Sequence, residues 1–210
     1  MKTDVKGLSH REINEKIRAE KDVTILDGVC GQRFIGAGMS YRTLDIEGVP
    51  GNALGAYLNG GTITVHANAQ DAVGDTMNAG EIIVHGNIGD AAGYAMRGGA
   101  IYVKGNAGYR AGIHMKAYKE KVPLIVIGGH AGSFLGEYQA GGVIVVLGLS
   151  DDGKPIVGNY PCTGMHGGRI YFRGDVSKIR FPAGVTARAA DSDDLEKLSV
   201  YVCSYCTYFG

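Results

Sequence analysis

The feature that most constrains the fold of this chain is a glycine-rich motif that recurs every 19 residues. The stretch 86–105 begins with Gly-Asn and ends in a short β-branched run before the next Gly-Asn, and a shift of 19 residues in either direction reproduces the pattern. Two apolar columns result, which are Ile63, Ile82, Ile101, Ile125, Ile144 and Ile170, and then Val65, Val84, Val103, Ile127, Val146 and Phe172. Residues two apart on a strand share a face, so both columns predict an interior.

This pattern predicts an all-β protein built as a parallel β-helix, in which each copy forms one coil and each strand pairs with its equivalent in the next coil. We expect a single-stranded solenoid of about six or seven coils with short N- and C-terminal helices. The chain, 1–210, is predicted to be one domain, with a helical segment over 1–21, the β-helix over 22–174 and an extension with a helix over 175–210. The residues between the two columns point outward and are only partly polar, which indicates that this outer face is covered in places.

Glycine and asparagine also recur in columns. Glycine accounts for 35 residues at fixed offsets, which indicates that the corners of the coils require it. Asn68, Asn87 and Asn106 share one corner, with His130 next, and predict a ladder of amides along the axis. A further column is expected to fill an irregular corner of the core rather than to hold a cofactor. It consists of Leu58, Met77, Met96, Met115 and Met165, interrupted by Gln139.

Helices are predicted at both ends of the chain. Ser9 and Glu12 have the spacing of a capping box, so residues 9–20 should form a short amphipathic helix that docks on something larger. The acidic run 191–194 should cap a final helix, whose aromatic tail, 202–210, is expected to lie on the last coil or on a partner. The apolar stripe of that helix consists of Leu195, Leu198 and Val202.

The period breaks at two places. Along the first apolar column, two of the five intervals are 24 and 26 residues long instead of 19. The extra residues fall within 116–123, which is rich in Lys and Glu, and within 149–161. Insertions in a solenoid become outward loops that often bind partners, so both segments are candidate contact sites.

Charge and hydropathy exclude several classes of partner. Lys plus Arg equals Asp plus Glu, at 21 each, so no net charge attracts the chain to nucleic acid or to an anionic membrane. The first residues lack the apolar core of a signal peptide, and no apolar run approaches the roughly 20 residues of a membrane span. We therefore expect a cytoplasmic protein whose four cysteines are reduced thiols.

Two groups of residues are candidates for chemistry. His66, His85 and Lys104 occupy one column and should stand side by side on adjacent coils. Two imidazoles and a cation with no nearby carboxylate make a poor metal site, which leaves an anion-attracting stripe or an ordinary solvated face. Cys203 and Cys206 have the spacing of half a zinc or iron–sulfur site, and three interpretations remain open: buried thiols, a redox pair or metal ligands.

No catalytic machinery emerges from the residues. The sequence contains no HExxH motif, phosphate-binding loop or nucleophile elbow, and no Ser or Cys stands in register with a histidine and an acid. The glycines do not form a dinucleotide fingerprint, because a strand rather than a helix follows each set. We assign no catalytic, cofactor-binding or metal-binding residue on this basis, apart from the cysteine pair as a metal candidate.

The repeat between residues 48 and 174 follows the pattern Gly-x-x-Gly-x-x-x-Gly-x-x-Met/Leu-x-Gly/Ala-Gly-x-Ile-x-Val. It resembles the GXGXG-motif domain, the C-terminal right-handed β-helix of the glutamate synthase large subunit. The first coil of that domain is matched by 48–58, a later coil by 128–132 with 141–148, and its closing glycine–methionine motif by 164–168. The C subunit of formylmethanofuran dehydrogenase carries a similar repeat.

The resemblance implies a right-handed, non-catalytic subunit, since no catalytic residue of glutamate synthase belongs to this domain. The implied partners are a class II glutamine amidotransferase and an FMN-containing glutamate synthase chain, and FMN and an iron–sulfur cluster are expected only on partner chains. A subunit of a formylmethanofuran dehydrogenase-like complex is an alternative, as is a homo-oligomer of this chain. A third reading is a stand-alone small-molecule or anion binder, or a hydrolase, that uses the histidine column or a pocket beneath 148–162.

Overall fold

The computed structural model describes residues 2–20, 23–150 and 152–210. Within these ranges nine parallel strands form one sheet in sequential order, and two helices flank it. The strands are β1 (Lys2–Asp4), β2 (Thr24–Cys30), β3 (Thr43–Val49), β4 (Asn59–Val65), β5 (Ala79–Val84), β6 (Ala100–Val103), β7 (Leu124–Ile127), β8 (Ala140–Val146) and β9 (Gly167–Phe172). The predicted parallel solenoid is confirmed, and the nine described strands form about eight turns. The six or seven coils expected leave out the turn that begins at β1, because a strand this short leaves no periodic signal.

The predicted register of the two apolar columns is observed from β4 to β9. Ile63 pairs with Ile82, which pairs with Ile101, and the series continues through Ile125 and Ile144. All five side chains are fully buried. The two long intervals do not shift the register, since the extra residues loop outward. Each coil therefore stacks in the same phase, and the apolar columns form one continuous core.

The asparagine column forms a ladder, although not between side-chain amides. Oδ1 of Asn68 accepts a hydrogen bond of 2.8 Å from the backbone amide of Asn87, and Oδ1 of Asn87 accepts one of 2.8 Å from Asn106. Oδ1 of Asn106 likewise accepts a hydrogen bond of 2.7 Å from the backbone amide of His130. A second column, absent from the sequence analysis, repeats this device with the carboxylates of Asp71 and Asp90. The donors are backbone groups, because they are the ones that the corner leaves without a partner in the sheet.

Each coil from the β2–β3 connection onward also contains a turn in which three alternate residues have positive φ. Ala53, Gly55 and Tyr57 show this pattern, with φ angles of 63°, 63° and 57°. The amide of Ala53 donates to the carbonyl of Asp71 in the next coil, and that of Gly55 to Ile35 in the previous coil, both at 2.9 Å. A non-glycine residue in this region costs about 1 kcal/mol or more, which these hydrogen bonds to both neighbours offset. We call this feature the turn ribbon, and it comprises 34–38, 53–57, 72–76, 91–95, 110–114, 134–138 and 160–164.

The methionine column lies in the core, as predicted. Met77, Met96 and Met115 are fully buried. Gln139, which interrupts the column, is fully buried too, and its Nε2 donates to the carbonyl of Gly141 at 3.2 Å. The amide donors of this buried side chain thus serve a bend in the backbone, while its Oε1 has no hydrogen-bond partner among the described residues.

The N-terminal helix, α1 (His10–Ala19), begins at the predicted capping box of Ser9 and Glu12. Ile13 and Ile17 are buried against the first coils. Asn14 fixes the docking, because its Nδ2 donates to the carbonyl of Phe34 and its Oδ1 accepts from the amide of Gly36. The helix thus covers the start of the turn ribbon.

The C-terminal helix, α2 (Ser192–Phe209), begins at the predicted cap Asp191 but docks differently from the prediction. It does not end on the last coil: it begins beside β9 and reaches β5, where the Tyr208 hydroxyl donates to Glu81 at 2.8 Å. Leu195, expected on the buried stripe, is 58% exposed. The side chains that cover the outer face are Leu198, Tyr201, Val202, Tyr205, Tyr208 and Phe209. The partly apolar outer face of the strands therefore explains why α2 docks there and why its C-terminal part is rich in aromatic residues.

Candidate functional surfaces

The predicted histidine column is assembled, but its surroundings are less cationic than expected. The rings of His66 and His85 stack with centroids 5.2 Å apart, and Phe209 of α2 meets His85 edge-on at 5.1 Å. The expectation that no carboxylate lies nearby is wrong, because Nε2 of His66 lies 3.2 Å from Oδ1 of Asp45. The prediction failed since Asp45 lies on the neighbouring strand and outside the repeat column.

The electrostatics of this column favour a neutral imidazole at His85. Burial lowers the pKa of His85 below its usual range, and the nearby His66 and Lys104 lower it further. The histidine column therefore presents the ammonium group of Lys104 and the neutral ring of His85 stacked on His66, with the carboxylate of Asp45 at one end. Anion binding by His66, His85 and Lys104 stays a prediction.

The cysteine pair is placed on the exposed side of α2. Cys203 and Cys206 are both exposed, so the buried-thiol interpretation is wrong for this pair, and Cys30 is exposed too. Cys162 is buried, and burial raises the pKa of its thiol to about 11, which keeps it protonated and unreactive at neutral pH. Within the described ranges no cluster of three or more His, Cys, Asp or Glu side chains is placed to hold a metal. Metal or redox chemistry at the pair stays a prediction.

The second insertion closes over the end of the asparagine ladder. Oδ1 of Asp152 lies 2.6 Å from Nε2 of His130, and Lys154 adds an ion pair at 3.2 Å. Burial opposes the charged form of Asp152, but the amide of Lys154, the imidazole and the ammonium outweigh it and lower its pKa to about 2. The His130 side chain is only 11% exposed and contacts Asp152 of this insertion, and a binding pocket beneath the insertion stays a prediction. Asp151 lies outside the described residues.

The first insertion forms a small exposed hairpin. The backbone groups of Tyr118 and Lys121 exchange hydrogen bonds of 2.9 and 3.0 Å. Tyr118 and Val122 are each more than half exposed. The ammonium of Lys119 lies 5.4 Å from the centre of the Tyr118 ring. The hairpin therefore exposes apolar and cationic side chains together on the surface of the rod, which makes it a candidate contact site for a partner protein.

A further surface that the sequence analysis missed lies on the turn ribbon. Side chains of successive coils stack there into two short columns, which we call the aromatic stacks. They are Arg110, Phe134 and Tyr160, and Tyr94, His114 and Tyr138. The guanidinium of Arg110 lies 4.9 Å from the Phe134 centroid, and the Phe134 and Tyr160 rings are 5.3 Å apart. Stacked, exposed aromatic and arginine side chains are typical of protein interfaces.

A cavity lies at the C-terminal end of the rod, beside β9. Its volume is about 370 Å³, and α2, β9 and the segment between them line it. Cys162 and Met165 contribute from the end of the turn ribbon. Sequence analysis did not find it, because the repeat fades where the cavity begins.

Comparison with known proteins agrees with the repeat. A family model described as the GXGXG motif matches residues 5–210. The uncharacterized protein MJ1350 of Methanocaldococcus jannaschii is 46% identical over 218 aligned residues, which cover 99% of this chain and 84% of that protein. Across the described ranges, neither helix combines the length and apolar character needed to cross a membrane.

Proposed function

We propose, since the chain belongs to the GXGXG motif family, that it is the non-catalytic structural subunit of a glutamate-synthase-type assembly. The GXGXG domain occurs in glutamate synthase, and here it forms the chain almost from end to end. In this role the chain bridges a class II glutamine amidotransferase and an FMN-containing synthase, which make glutamate from glutamine and 2-oxoglutarate. FMN and the iron–sulfur cluster belong to the partner chains.

The observation that carries the proposal is the unbroken sequence of parallel strand pairs from β1 to β9. Neighbouring coils are hydrogen-bonded through these strands, and over much of the rod also through the asparagine ladder and the turn ribbon. Such a rod resists bending, because bending it requires breaking hydrogen bonds in several coils at once. A stiff element suits a component that must fix the distance between a site that releases ammonia and a site that consumes it.

The surfaces described above supply contacts for two partners. The hairpin at 116–123 and the aromatic stacks expose rigid aromatic side chains, which give contact area at a low cost in conformational entropy. Tyr118 and Tyr160 are 54% and 66% exposed. These two residues are therefore the contacts that we expect a bound partner to bury.

Reconstitution tests the proposal. The glutaminase and synthase chains of the same genome are co-expressed with and without this chain, and glutamate formation is measured with glutamine or with ammonia as the nitrogen source. We expect the chain to co-purify with both partners, and its omission to lower the glutamine-dependent rate while the ammonia-dependent rate is kept. Tyr118→Ala should weaken co-purification, with Tyr41→Ala, at a tyrosine that is 91% exposed, as the matched control.

Other outcomes would overturn this role. If neither partner co-purifies, or if both rates are independent of the chain, the bridging function is wrong. Recovery of the chain with subunits of a formylmethanofuran dehydrogenase-like complex instead would establish that alternative.

A further inference from the structure

The solenoid is open at its last strand. β9 pairs with β8 on one side and, among the described strands, has no neighbour on the other. Ile170 and Phe172 continue the two apolar columns, yet they are only half-buried, whereas their equivalents in β4 to β8 are fully buried. The core of the rod therefore ends in apolar side chains that a further coil would cover.

The segment that follows β9 does not supply that further coil. Phe181 approaches Phe172, with ring centroids 6.4 Å apart, and Ile179 lies against the core. No backbone hydrogen bond joins β9 to 175–190 in the part of the chain that the structure describes. The segment instead stands away from the strand, and the cavity of about 370 Å³ separates the two.

The residues that line this cavity follow a strand, and we call the cavity the slot. One wall is 168–172, which is five residues of β9, and the other comprises Val176, Phe181 and 185–188. Five residues of extended chain span roughly 16 Å at ~3.3 Å per residue. The slot thus presents a strand edge, an apolar floor and a facing wall, which are the parts of a site for β-strand addition.

The charged side chains that line the slot are Arg169, Arg188 and Asp194, so its lining carries one more positive than negative charge. The guanidiniums of Arg169 and Arg188 flank the slot, and each is 53% exposed. Asp194 binds both of them, at 2.6 and 2.7 Å, and Asp191 also pairs with Arg188 at 3.0 Å. These ion pairs involve Nη1 of each guanidinium and hold it in place, so the Nε and Nη2 groups are left for a ligand.

We propose that this slot binds an extended segment of a partner protein, which adds to β9 as a tenth strand. The segment carries apolar side chains at alternate positions, which cover Ile170 and Phe172, and an acidic residue near Arg169 and Arg188. Its backbone hydrogen bonds supply affinity, and its side chains supply specificity. The inference rests on the open edge and its charge, and does not depend on the glutamate-synthase role.

Selection from a phage-displayed library of random ten-residue peptides tests the proposal, with counter-selection on the Ala187→Trp variant. Ala187 lines the slot and Ala189 does not, although both are exposed in the same segment, so Ala189→Trp is the matched control. Both variants must keep the native thermal midpoint and circular dichroism. We expect enriched peptides that alternate apolar residues and carry Asp or Glu, and that bind the native protein and A189W equally but A187W about tenfold or more weakly.

N-methylation of the selected peptide identifies strand addition. Methyl groups on the alternate amides that face β9 should abolish binding, whereas methyl groups on the other amides should be tolerated, because only one set donates to a strand edge. The proposal is overturned if no peptide is enriched on the native protein over A187W, if enriched peptides are basic, or if N-methylation has no positional effect. It is also overturned if the isolated protein is a dimer in sedimentation and A187W is a monomer, since a second copy then fills the slot.

Discussion

Oδ1 of Asn87 accepts a hydrogen bond of 2.8 Å from the backbone amide of Asn106, one coil further along the rod. Gly105 lies against the same oxygen, and a Cβ atom at Gly105 would collide with it. The acceptor in one coil therefore requires a glycine in the next. This pairing explains why Gly and Asn recur together every 19 residues, and it makes the two positions energetically dependent on each other.

A double-mutant cycle measures this dependence. Asn87→Ala should lower the free energy of unfolding by about 1 kcal/mol, the net value of one hydrogen bond. Gly105→Ala should cost about 2 kcal/mol, as overpacking does. In the double mutant the collision with Oδ1 is gone, so the loss should be smaller than the sum, although a contact with the carbonyl of Gly86 remains. Urea unfolding gives the four values, and additivity within about 0.5 kcal/mol would contradict the coupling.

The sequence predicts the parts of the fold that the period repeats. Ile101 and Ile125 pair as predicted although 24 residues separate them, because burial of both columns allows only one register. The path of α2 was not predicted in the same way. The Tyr205 hydroxyl meets the carbonyl of Lys104 across 101 residues, and no local pattern encodes such a contact. The only signal was the apolar character of outer-face residues such as Val126.

The candidate surfaces were harder to predict for a related reason. Phe134 and Tyr138 have φ angles of 61° and 52°, in a region that sequence reasoning reserves for glycine. Hydrogen bonds from neighbouring coils hold these residues there, so their conformation depends on stacking and not on their own propensity. The insertions, in contrast, could be placed from the interval lengths alone.

The docking of α2 depends on Tyr205. This side chain is 5% exposed, and its hydroxyl donates to the carbonyl of Lys104 at 3.2 Å. Tyr205→Ala should lower the free energy of unfolding by about 3 kcal/mol, because a large buried ring is lost. Tyr205→Phe should cost only about 1 kcal/mol, since the ring is kept and one hydrogen bond is lost.

The adjacent Cys206→Ala is the control, because Cys206 is exposed on the same turn and its loss should leave stability unchanged. Chemical denaturation gives the three values. A loss in Tyr205→Ala no larger than that in Cys206→Ala would show that α2 does not rest on the sheet through this residue.

Asp194 ties the start of α2 to the last strand. Its carboxylate accepts hydrogen bonds from the Tyr171 hydroxyl at 2.8 Å and from Arg169 and Arg188. The Tyr171 hydrogen bond is the main cause that lowers the pKa of Asp194, which falls to about 2 despite opposition from burial. A carboxyl group with a lowered pKa in the folded state stabilises the protein above its unfolded pKa, and this stabilisation is lost as the pH falls from ~4 toward 2.

Asp194→Asn should therefore lower the thermal midpoint at pH 7 and should also flatten the decline in stability between pH 4 and pH 2. Asp193→Asn is the control, since Asp193 is the exposed neighbour in the first turn. Thermal melts of the three proteins across this range provide the comparison. Equal midpoints for the native protein and Asp194→Asn at pH 7 would rule out a stabilising role for this cluster.

His85 should make the stability of the rod depend on pH near neutrality. Burial, and then His66 and Lys104, lower the pKa of His85 in the folded state, so the unfolded chain binds a proton more readily between the folded pKa and ~6.5. Stability must then fall as the pH decreases below about 6.5, and protonation should also weaken the stacking of His85 on His66 through like-charge repulsion.

His85→Gln removes the titrating group, so its free energy of unfolding should vary less between pH 7 and pH 5 than that of the native protein. His166→Gln, at an exposed histidine, should keep the native slope. Denaturant titrations at three pH values decide between these outcomes, and an unchanged slope in His85→Gln would show that the histidine column does not couple protonation to folding.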